Sequence, residues 1–363
     1  MNGHNRPASR PDFQVAIISA LPLENNAVLC SLDEHWDDAN HVYGRAEGDP
    51  IQYRFGRCGG QPVVIVILHK IGMEAASTAA QSLRMSFPSI NLVLLVGVCG
   101  AVPWTPDDKK TEIVLGDVIV SEVLVQLDNI RQYPHGTQRR QDTIYDSPMK
   151  PSEEVIGLLQ CLKTQAELNR LRKKMMDNLG ELLRKPAMDT ICPPVSEDKL
   201  FEPNYIHRHH SGCPECSTSE SVCNAALKSS CDAIPCDDAR LIRRDRLLAQ
   251  ADGAPSNHMI HFGSIGTGNV VMKSAEHRDK WAETEKVIGF EMEGAGIWNK
   301  FNCLIIKGVC DYADSHKNKK WQKYAAAVAA SVAKGVLGYY APHDRRSQSG
   351  TPDCKPHGFL TLM

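Results

Sequence analysis

The stretch Leu92-Val-Leu-Leu-Val96, followed at once by Gly97-Val-Cys-Gly100, is the clearest structural signal in the sequence. An apolar run without alternation is typical of a strand that is buried on both faces of a parallel sheet. Two runs of the same kind precede it, Phe13-Gln-Val-Ala-Ile-Ile18 and Val63-Val-Ile-Val-Ile-Leu68, and residues 73–85 have the composition of a packed helix. Strands that alternate with helices predict an α/β sheet core.

The same alternation continues on both sides of a long interruption. A fourth strand is predicted at Val118-Ile-Val120, directly after Gly116-Asp117. Towards the C-terminus, strands are predicted at 287–292 and 303–309, and an alanine-rich helix is predicted at 320–340. The two halves of the pattern therefore belong to one α/β architecture.

Residues 130–257 interrupt this pattern. Their first part, 151–183, is predicted to be helical, whereas the rest is rich in Pro, His and Cys. A segment of this length without clear strands indicates an inserted, partly helical subdomain or partial disorder. We therefore expect a single α/β domain over 12–341 with an insertion at 130–257, and flexible tails at 1–11 and 342–363.

The composition argues against several classes of protein. The 363 residues carry a formal net charge of −2, which does not indicate nucleic acid or an anionic membrane as a partner. No run reaches the roughly 18 apolar residues that a membrane span needs, and residues 1–11 lack the apolar segment of a secretory signal. The 13 cysteines are an odd number without an export signal, so we expect a cytoplasmic protein with reduced thiols.

Candidate functional residues lie at the ends of predicted strands. The sequence contains no P-loop, no G-x-S-x-G elbow and no H-E-x-x-H motif. Instead, Glu24, Glu293 and Asp311 each follow a predicted strand, as do Gly97 and Gly100. Ligands of α/β proteins bind at the carboxyl ends of strands, which predicts one shared site for these residues. The alternative is that each acid is a helix cap or a surface residue.

Several ordered motifs resemble those of the purine nucleoside phosphorylase and methylthioadenosine nucleosidase superfamily. Phe290-Glu-Met-Glu-Gly-Ala295 looks like its ribose-binding signature. Residues 311–319 and Trp321 are similar to a fungal branch that often forms the N-terminal enzymatic domain of larger immune-receptor-like proteins. The other matching motifs are Ala20-Leu-Pro-Leu-Glu24, Ile71-Gly-Met-Glu-Ala75, Val96-Gly-Val-Cys-Gly-Ala101 with Gly116-Asp-Val-Ile-Val-Ser121, and Ile306-Lys-Gly-Val-Cys-Asp-Tyr-Ala-Asp314. The resemblance implies a three-layer αβα phosphorylase/hydrolase-like fold with a mixed central sheet.

The resemblance also implies a role for each residue at the predicted site, because this family cleaves the bond between a purine and C1′ of ribose. Asp311 would protonate the departing purine as general acid, and Glu293 would accept hydrogen bonds from the ribose hydroxyls. Relatives often stack a Phe on the base where this chain has Val271, so that contact is expected to be weaker here. The residues implied to bind substrate are Glu293, Met292, Gly100, Met272, Val271 and Val98.

The nucleophile decides between hydrolysis and phosphorolysis. Phosphorylase relatives have an Arg and a Ser where this chain has Leu95 and Val98, and apolar side chains there would leave a phosphate unsatisfied. Glu24 matches the carboxylate with which nucleosidases activate water. We therefore expect a purine nucleosidase, an N-ribosyl hydrolase that releases the base of an adenosine-like or ATP-like substrate. A purine nucleoside phosphorylase and a non-catalytic purine nucleotide sensor are the alternatives.

The partners implied by the resemblance are few. No cofactor is expected, the ligand is a small purine nucleoside or nucleotide, and relatives imply a homo-oligomer. In the insertion, Arg243 and Arg246 are candidates for a contact with a 5′-phosphate, since guanidinium forks suit phosphates, with help from Lys307 and Lys273. The alternative for these arginines is a solvated helix face.

The same insertion contains weak candidates for a metal site. His207, His209, Cys213 and Cys216 have a spacing compatible with zinc. The cysteines beyond Cys216 fit no standard zinc finger, and the alternative is a loop that is merely rich in His and Cys. We therefore expect no metal. The segment Leu200-Phe-Glu-Pro-Asn-Tyr-Ile-His207 is similar to one in the fungal branch, which favours an insertion typical of that branch.

Overall fold

The computed structural model describes residues 6–107, 111–134, 136–218, 221–249 and 257–343. The strands in these ranges are β1 (Val15–Ser19), β2 (Glu34–His35), β3 (Tyr53–Cys58), β4 (Gln61–Ile67), β5 (Leu92–Ala101), β6 (Val118–Gln126), β7 (Ile130–Tyr133), β8 (Gly136–Arg139), β9 (Ile260–Thr267), β10 (Val287–Glu291) and β11 (Asn302–Asp311). The helices are α1 (Pro22–Ser31), α2 (Ala39–Tyr43), α3 (Met73–Ser86), α4 (Glu153–Lys163), α5 (Gln165–Leu183), α6 (Asn224–Lys228), α7 (Asp245–Leu248), α8 (Ala275–Glu285), α9 (Gly294–Trp298) and α10 (Gln322–Leu337).

Nine strands form one mixed sheet in the order β10-β9-β6-β11-β5-β1-β4-β3-β2. At its centre, β5 lies parallel to both β1 and β11, while β6 runs antiparallel to β11. The central strands are buried and mainly apolar, as their apolar sequences predict. The structure thereby confirms the predicted α/β fold with a mixed central sheet.

One end of the sheet curls back on itself. β10 pairs in parallel with β9 and also in antiparallel fashion with the end of β5, where Phe290 lies opposite Gly100. On its other side, Gly100 is paired with Asp311 of β11. The glycine-rich end of β5 therefore lies between the ends of β10 and β11, which brings the three sequence-distant motifs together.

Helices cover the sheet in two groups. The alanine-rich α10 is buried along almost its whole length and packs on β5 and β11, with α1 and α5 beside it. Its approach to β11 is close, because a Cβ atom at Gly308 would overlap the backbone carbonyl of Ala325. A second group, α3 and α9, packs together near the end of β11 and β6. Small side chains thus allow helix and sheet to meet at short distance.

The insertion is packed onto this core. The buried stripe of α5, which includes Leu171, Met175 and Leu179, faces α10. Further along, the Tyr312 hydroxyl donates a hydrogen bond of 2.6 Å to Asp198 of the insertion. These contacts support the proposal that 12–341 is one domain with 130–257 inserted in it.

Most residues of the two predicted tails, namely 1–5 and 344–363, lie outside the described residues. In the described part of the N-terminal tail, Arg6 forms an ion pair of 3.0 Å with Asp38, and the Pro7 carbonyl accepts a hydrogen bond from Tyr43.

Among the helices in the described ranges, none has both the length and the apolar character required to cross a membrane.

Candidate active site

A cavity of about 560 Å³ opens where the ends of β1, β5, β10 and β11 meet. It contains every residue predicted to act on or bind the substrate apart from the candidates for the phosphate contact, which are Arg243, Arg246, Lys307 and Lys273. The lining includes Glu24, Val98, Gly100, Val271, Met272, Met292, Glu293 and Asp311, together with Leu21, Ile71, Phe290, Lys317 and Lys319. The expectation of one shared site at strand ends therefore agrees with the fold.

Glu24 is held rigidly on the wall of this cavity. It lies in the first turn of α1, which Pro22 begins directly after β1. One carboxylate oxygen accepts hydrogen bonds from the backbone N–H groups of Ala20 and Leu21, at 2.9 and 2.8 Å, and the other accepts one from Val98 at 2.7 Å. Gly97 makes this approach possible, since a Cβ atom there would overlap the carboxylate.

Burial raises the pKa of Glu24 above its ordinary value of 4.5, although Lys307 and the backbone N–H groups of Val98 and Leu21 oppose that rise. Glu24 is only 2% exposed, so water screens its charge poorly. A carboxylate accepts about four hydrogen bonds, and three of these positions are filled by the backbone. The remaining lone pair can accept a proton from a molecule bound in the cavity.

Glu293 and Glu291 differ in function although they are two residues apart. Glu291 accepts hydrogen bonds from the backbone N–H groups of Glu293 and Gly294, and thereby caps α9. Glu293 accepts one from the Gly72 N–H at 3.0 Å, and its second oxygen lies 3.5 Å from Nζ of Lys307. Glu291 thus acts as a helix cap, and both Glu291 and Glu293 lie among the residues that line the cavity.

Lys307 is the buried counter-ion of these acids. Its side chain is 1% exposed on β11. Burial disfavours the ammonium, but the carboxylates of Glu293, Glu24 and Glu291 together raise the pKa of Lys307 well above its ordinary range. The lysine is therefore charged, and it compensates part of the negative charge beneath the cavity floor.

Asp311 closes the other side of the site. One of its oxygens accepts a hydrogen bond of 2.9 Å from the Ala313 N–H, which fixes the carboxylate in a tight turn after β11. The other oxygen lies 3.1 Å from Nζ of Lys317. Burial opposes the charge on Lys317, yet Asp311 raises the pKa of this lysine above its usual value. The pair places a carboxylate and an ammonium group side by side at the cavity.

Lys317 is a residue of the cavity that was not predicted from the sequence. It lies within the motif of residues 311–319, but its distance from Asp311 follows no helical or strand period that would reveal the contact. Lys319 was missed for the same reason. The only signal available was the concentration of lysines directly after a strand-end acid.

The expected phosphate contacts from Arg243 and Arg246 are wrong for this cavity, because neither arginine lines it. Both terminal nitrogens of the Arg246 guanidinium donate hydrogen bonds to the fully buried Asp117, one of them at 2.7 Å. Arg243 is 81% exposed and pairs with Asp245. The two lysines expected to assist them do not line the cavity either. Lys307 pairs with Glu293, and Lys273 is exposed.

The four metal candidates do not form one cluster. His207 lies with Cys231, Cys236 and His316, whereas His209, Cys213 and Cys216 lie with Cys223. Positions that are close in the sequence, such as His207 and His209, thus contribute to different groups. None of these residues lines the cavity that contains Glu24 and Asp311.

The Arg246–Asp117 pair leads to a prediction about stability. Arg246→Ala should lower the free energy of unfolding by about 3 kcal/mol, because it leaves a buried carboxylate without its main counter-ion. Arg243→Ala, which removes an exposed arginine, should change it by less than about 0.5 kcal/mol. Chemical denaturation of both variants measures the difference. Equal stability of the two variants would show that the buried ion pair is unimportant.

Comparison with known proteins agrees with this architecture. The family model described as the phosphorylase superfamily matches residues 14–173. A protein of Hyaloscypha variabilis, described as nucleotide-binding leucine-rich repeat (NLR)-like, is 30% identical over 347 residues, which cover 93% of this chain and 30% of the relative. The chain thus spans less than a third of the length of that relative.

Solved structures share the fold over most of the chain. The 5′-methylthioadenosine/S-adenosylhomocysteine nucleosidase of Neisseria meningitidis superposes with a TM-score of 0.52 at 14% identity, covering 90% of this chain and 99% of that one. Futalosine hydrolase of Helicobacter pylori gives a TM-score of 0.51 at 14% identity, with 90% and 98% coverage. The family match and the shared fold confirm the resemblance of the motifs: residues 14–173 match the phosphorylase superfamily, and the solved nucleosidases share the fold.

Proposed function

We propose that the protein is a purine nucleosidase, which hydrolyses the N-glycosidic bond of a purine nucleoside or nucleotide. The observation that carries this proposal is the position of Glu24, whose carboxylate is held by three backbone N–H groups in the same cavity as Glu293 and Asp311. The solved relatives with this fold include enzymes named as nucleosidases and a hydrolase, which supports the same class of reaction.

Hydrolysis is favoured over phosphorolysis by the groups around the end of β5. The Val98 N–H, a donor that an attacking phosphate would need, is already bonded to Glu24. Leu95 is fully buried and offers no polar group. A phosphate bound beside Glu24 would face a carboxylate instead of hydrogen-bond donors, which is costly for an anion. A water molecule, in contrast, can donate to the free lone pair of Glu24.

The residues of the cavity can accept and deliver the protons that the proposed hydrolysis requires. Water attacks C1′ of the ribose as Glu24 accepts its proton, and the new C1′–O bond replaces the bond between C1′ and the purine nitrogen. Asp311 passes a proton from a second water molecule to the departing purine. The Lys317 ammonium beside Asp311 stabilises the negative charge that develops on the base. The hydroxide left on the Asp311 side takes up, through solvent, the proton held by Glu24, which restores the starting state.

Glu293 is proposed to bind the ribose. Its carboxylate accepts hydrogen bonds from sugar hydroxyls, while Gly72 and Lys307 fix its orientation from the protein side. Phe290 and Met272 offer apolar surface to the base. Val271 is 49% exposed, so its contact with the base is expected to be weak.

The 5′ group of the substrate is proposed to face the lysines at the cavity. Lys319 is exposed, lines the cavity and has no ion pair among the residues that the structure describes. A cation in this position favours a phosphorylated 5′ group, such as that of ATP, over an uncharged one. A homo-oligomeric state, a fungal origin and a cytoplasmic location remain predictions.

One assay tests the proposed reaction and its substrate. The purified full chain is incubated with ATP, adenosine, inosine, guanosine and methylthioadenosine in phosphate-free buffer, and free base is measured by chromatography. We expect base release without phosphate. Release that depends on added phosphate or arsenate would instead establish a phosphorylase. Binding of purine nucleotides without any release, with or without phosphate, would indicate a sensor.

Replacement of the proposed base should abolish most of the activity. Glu24→Gln removes the group that accepts the water proton, so kcat should fall by about 10² to 10⁴. Glu74→Gln removes an exposed carboxylate that lies outside the cavity and should leave kcat unchanged. Thermal unfolding of both variants verifies that they are folded. A folded Glu24→Gln protein with wild-type kcat would exclude Glu24 as the base.

The raised pKa of Glu24 predicts the pH dependence. The base works only when ionised, so kcat/KM should rise with pH through an apparent pKa above 4.5, the ordinary value of a glutamate. Initial rates between about pH 4 and 9 measure this acid limb. An acid limb at or below pH 4.5, or one that persists unchanged in Glu24→Gln, would contradict the assignment.

A further inference from the structure

The described part of the chain contains two groups of four His and Cys side chains outside the cavity described above. Each group offers one nitrogen or sulfur atom per residue, and within each group all of these atoms lie within 4.8 Å of one another. The first group is His207, Cys231, Cys236 and His316, and the second group is His209, Cys213, Cys216 and Cys223. All but His316 come from the insertion.

The first group has the dimensions of a tetrahedral metal site. Zinc bonded to sulfur at 2.3 Å and to imidazole nitrogen at 2.0–2.1 Å would place two sulfurs about 3.8 Å apart, and sulfur and nitrogen about 3.5 Å apart. The sulfurs of Cys231 and Cys236 are 3.6 Å apart. The distances from these sulfurs to Nδ1 of His207 and His316 are between 3.2 and 3.6 Å.

The second ring nitrogen of His316 supports this interpretation. Its Nε2 lies 2.8 Å from the carbonyl oxygen of Tyr205 and donates a hydrogen bond to it. The proton is thereby placed on Nε2, and Nδ1 is left with a lone pair directed at the two sulfurs. A backbone carbonyl behind a ligating imidazole is the usual arrangement at zinc sites. Phe201 stacks on the other side of the ring at 4.1 Å and fixes its plane.

The second group is formed by three cysteines and one histidine. Nδ1 of His209 lies 3.4 Å from the sulfur of Cys223 and 4.0 Å from that of Cys216. Backbone N–H groups of Cys223 and Ala226 point at the sulfurs of Cys216 and Cys223, each at 3.4 Å. Such N–H donors stabilise thiolate ligands.

The surrounding segment has too little apolar core to fold on its own contacts. Its separate hydrophobic cluster consists of Cys216, Cys223 and Ala226, with Cys213, Val222 and Ile234 at the edge. Segments of this size without a core usually depend on disulfides or a metal. The cysteines of both groups are free thiols. Cys231 and Cys236, for example, have their sulfurs 3.6 Å apart, against the 2.03–2.05 Å of an S–S bond.

We propose that the protein binds two structural zinc ions, one at each group. Thiolate and imidazole ligands in a tetrahedral arrangement select zinc among the common cellular metals. All four positions of each group are protein side chains, which leaves no open position for substrate, and this is typical of structural sites. The expectation of a single weak candidate site, or of no metal, is thus replaced by a Cys2His2 site and a Cys3His site.

The two sites differ in their connection to the candidate active site. His316 belongs to the segment that follows β11, and the next residue, Lys317, forms the ion pair with Asp311. Zinc at the first group would therefore tie the insertion to the segment whose Lys317 pairs with the proposed acid. The second group has no residue in that segment. This part of the inference rests on the proposed function.

Metal analysis of the purified full chain tests the two sites. After dialysis against metal-free buffer, about two equivalents of zinc per chain are expected. Each double variant, Cys231→Ser/Cys236→Ser and Cys216→Ser/Cys223→Ser, should retain about one. Cys161→Ser, which changes an exposed cysteine on α4, should retain both. Co²⁺ in place of zinc should give the thiolate-to-cobalt charge-transfer band and the strong visible bands of tetrahedral cobalt.

Two results would overturn the proposal. One is less than one equivalent of zinc in the wild type, with the cysteines found as disulfides by thiol titration under denaturing conditions. The other is retention of two equivalents in either double variant. Because these measurements do not involve catalysis, they decide the metal sites even if the proposed nucleosidase activity is not found.

Activity then tests the coupling to the active site. Loss of the first site should reduce base release about tenfold or more, as is common when groups supporting a site are removed, whereas loss of the second should have a much smaller effect. Equal activity of the two double variants would refute the coupling and leave the zinc count unaffected.

Discussion

A single buried lysine makes the candidate active site possible. Glu24, Glu291 and Glu293 are each at most 6% exposed, and together they would concentrate negative charge in a poorly solvated region. Lys307 lies among them, fully buried at the centre of the sheet, opposite Gly97 of β5 and Ile119 of β6. Without its ammonium group, at least some of these carboxylates would have to be protonated, and the cavity would lose the charge that the proposed reaction uses.

The closure of the sheet determines which side chains meet around that lysine. β10 pairs with β9 on one side and with the end of β5 on the other, so that Phe290 and Asp311 both lie opposite Gly100. Glu24 reaches the same place from α1 because Gly97 leaves room for its carboxylate. A flat sheet with the same strands would place Glu293 and Asp311 far apart. The site is therefore a product of strand pairing as much as of the residues themselves.

The insertion is connected to the strand ends at several points. Asp198 accepts a hydrogen bond from Tyr312, and Arg246 donates hydrogen bonds to Asp117, the residue before β6. His207 lies with His316 beyond β11. Each contact joins the insertion to a residue near the end of the sheet at which β11 finishes with Asp311. The proposed zinc sites would make the most poorly packed part of the insertion rigid, and one of them would extend that rigidity to the segment of Lys317.

Local signals in the sequence were sufficient for the α/β class and for the three acids of the cavity, but not for Lys317 and Lys319. Buried strands have uninterrupted apolar runs, and acids or glycines at strand ends predict a ligand site, so Glu24, Glu293 and Asp311 were identified without coordinates. Only the tertiary structure decided their partners. The counter-ion role of Lys307, the Arg246–Asp117 pair and the division of His207 and His209 between two groups each depend on contacts between residues that are far apart in the chain. Such contacts follow from the path of the backbone, and no local periodicity in the sequence encodes them.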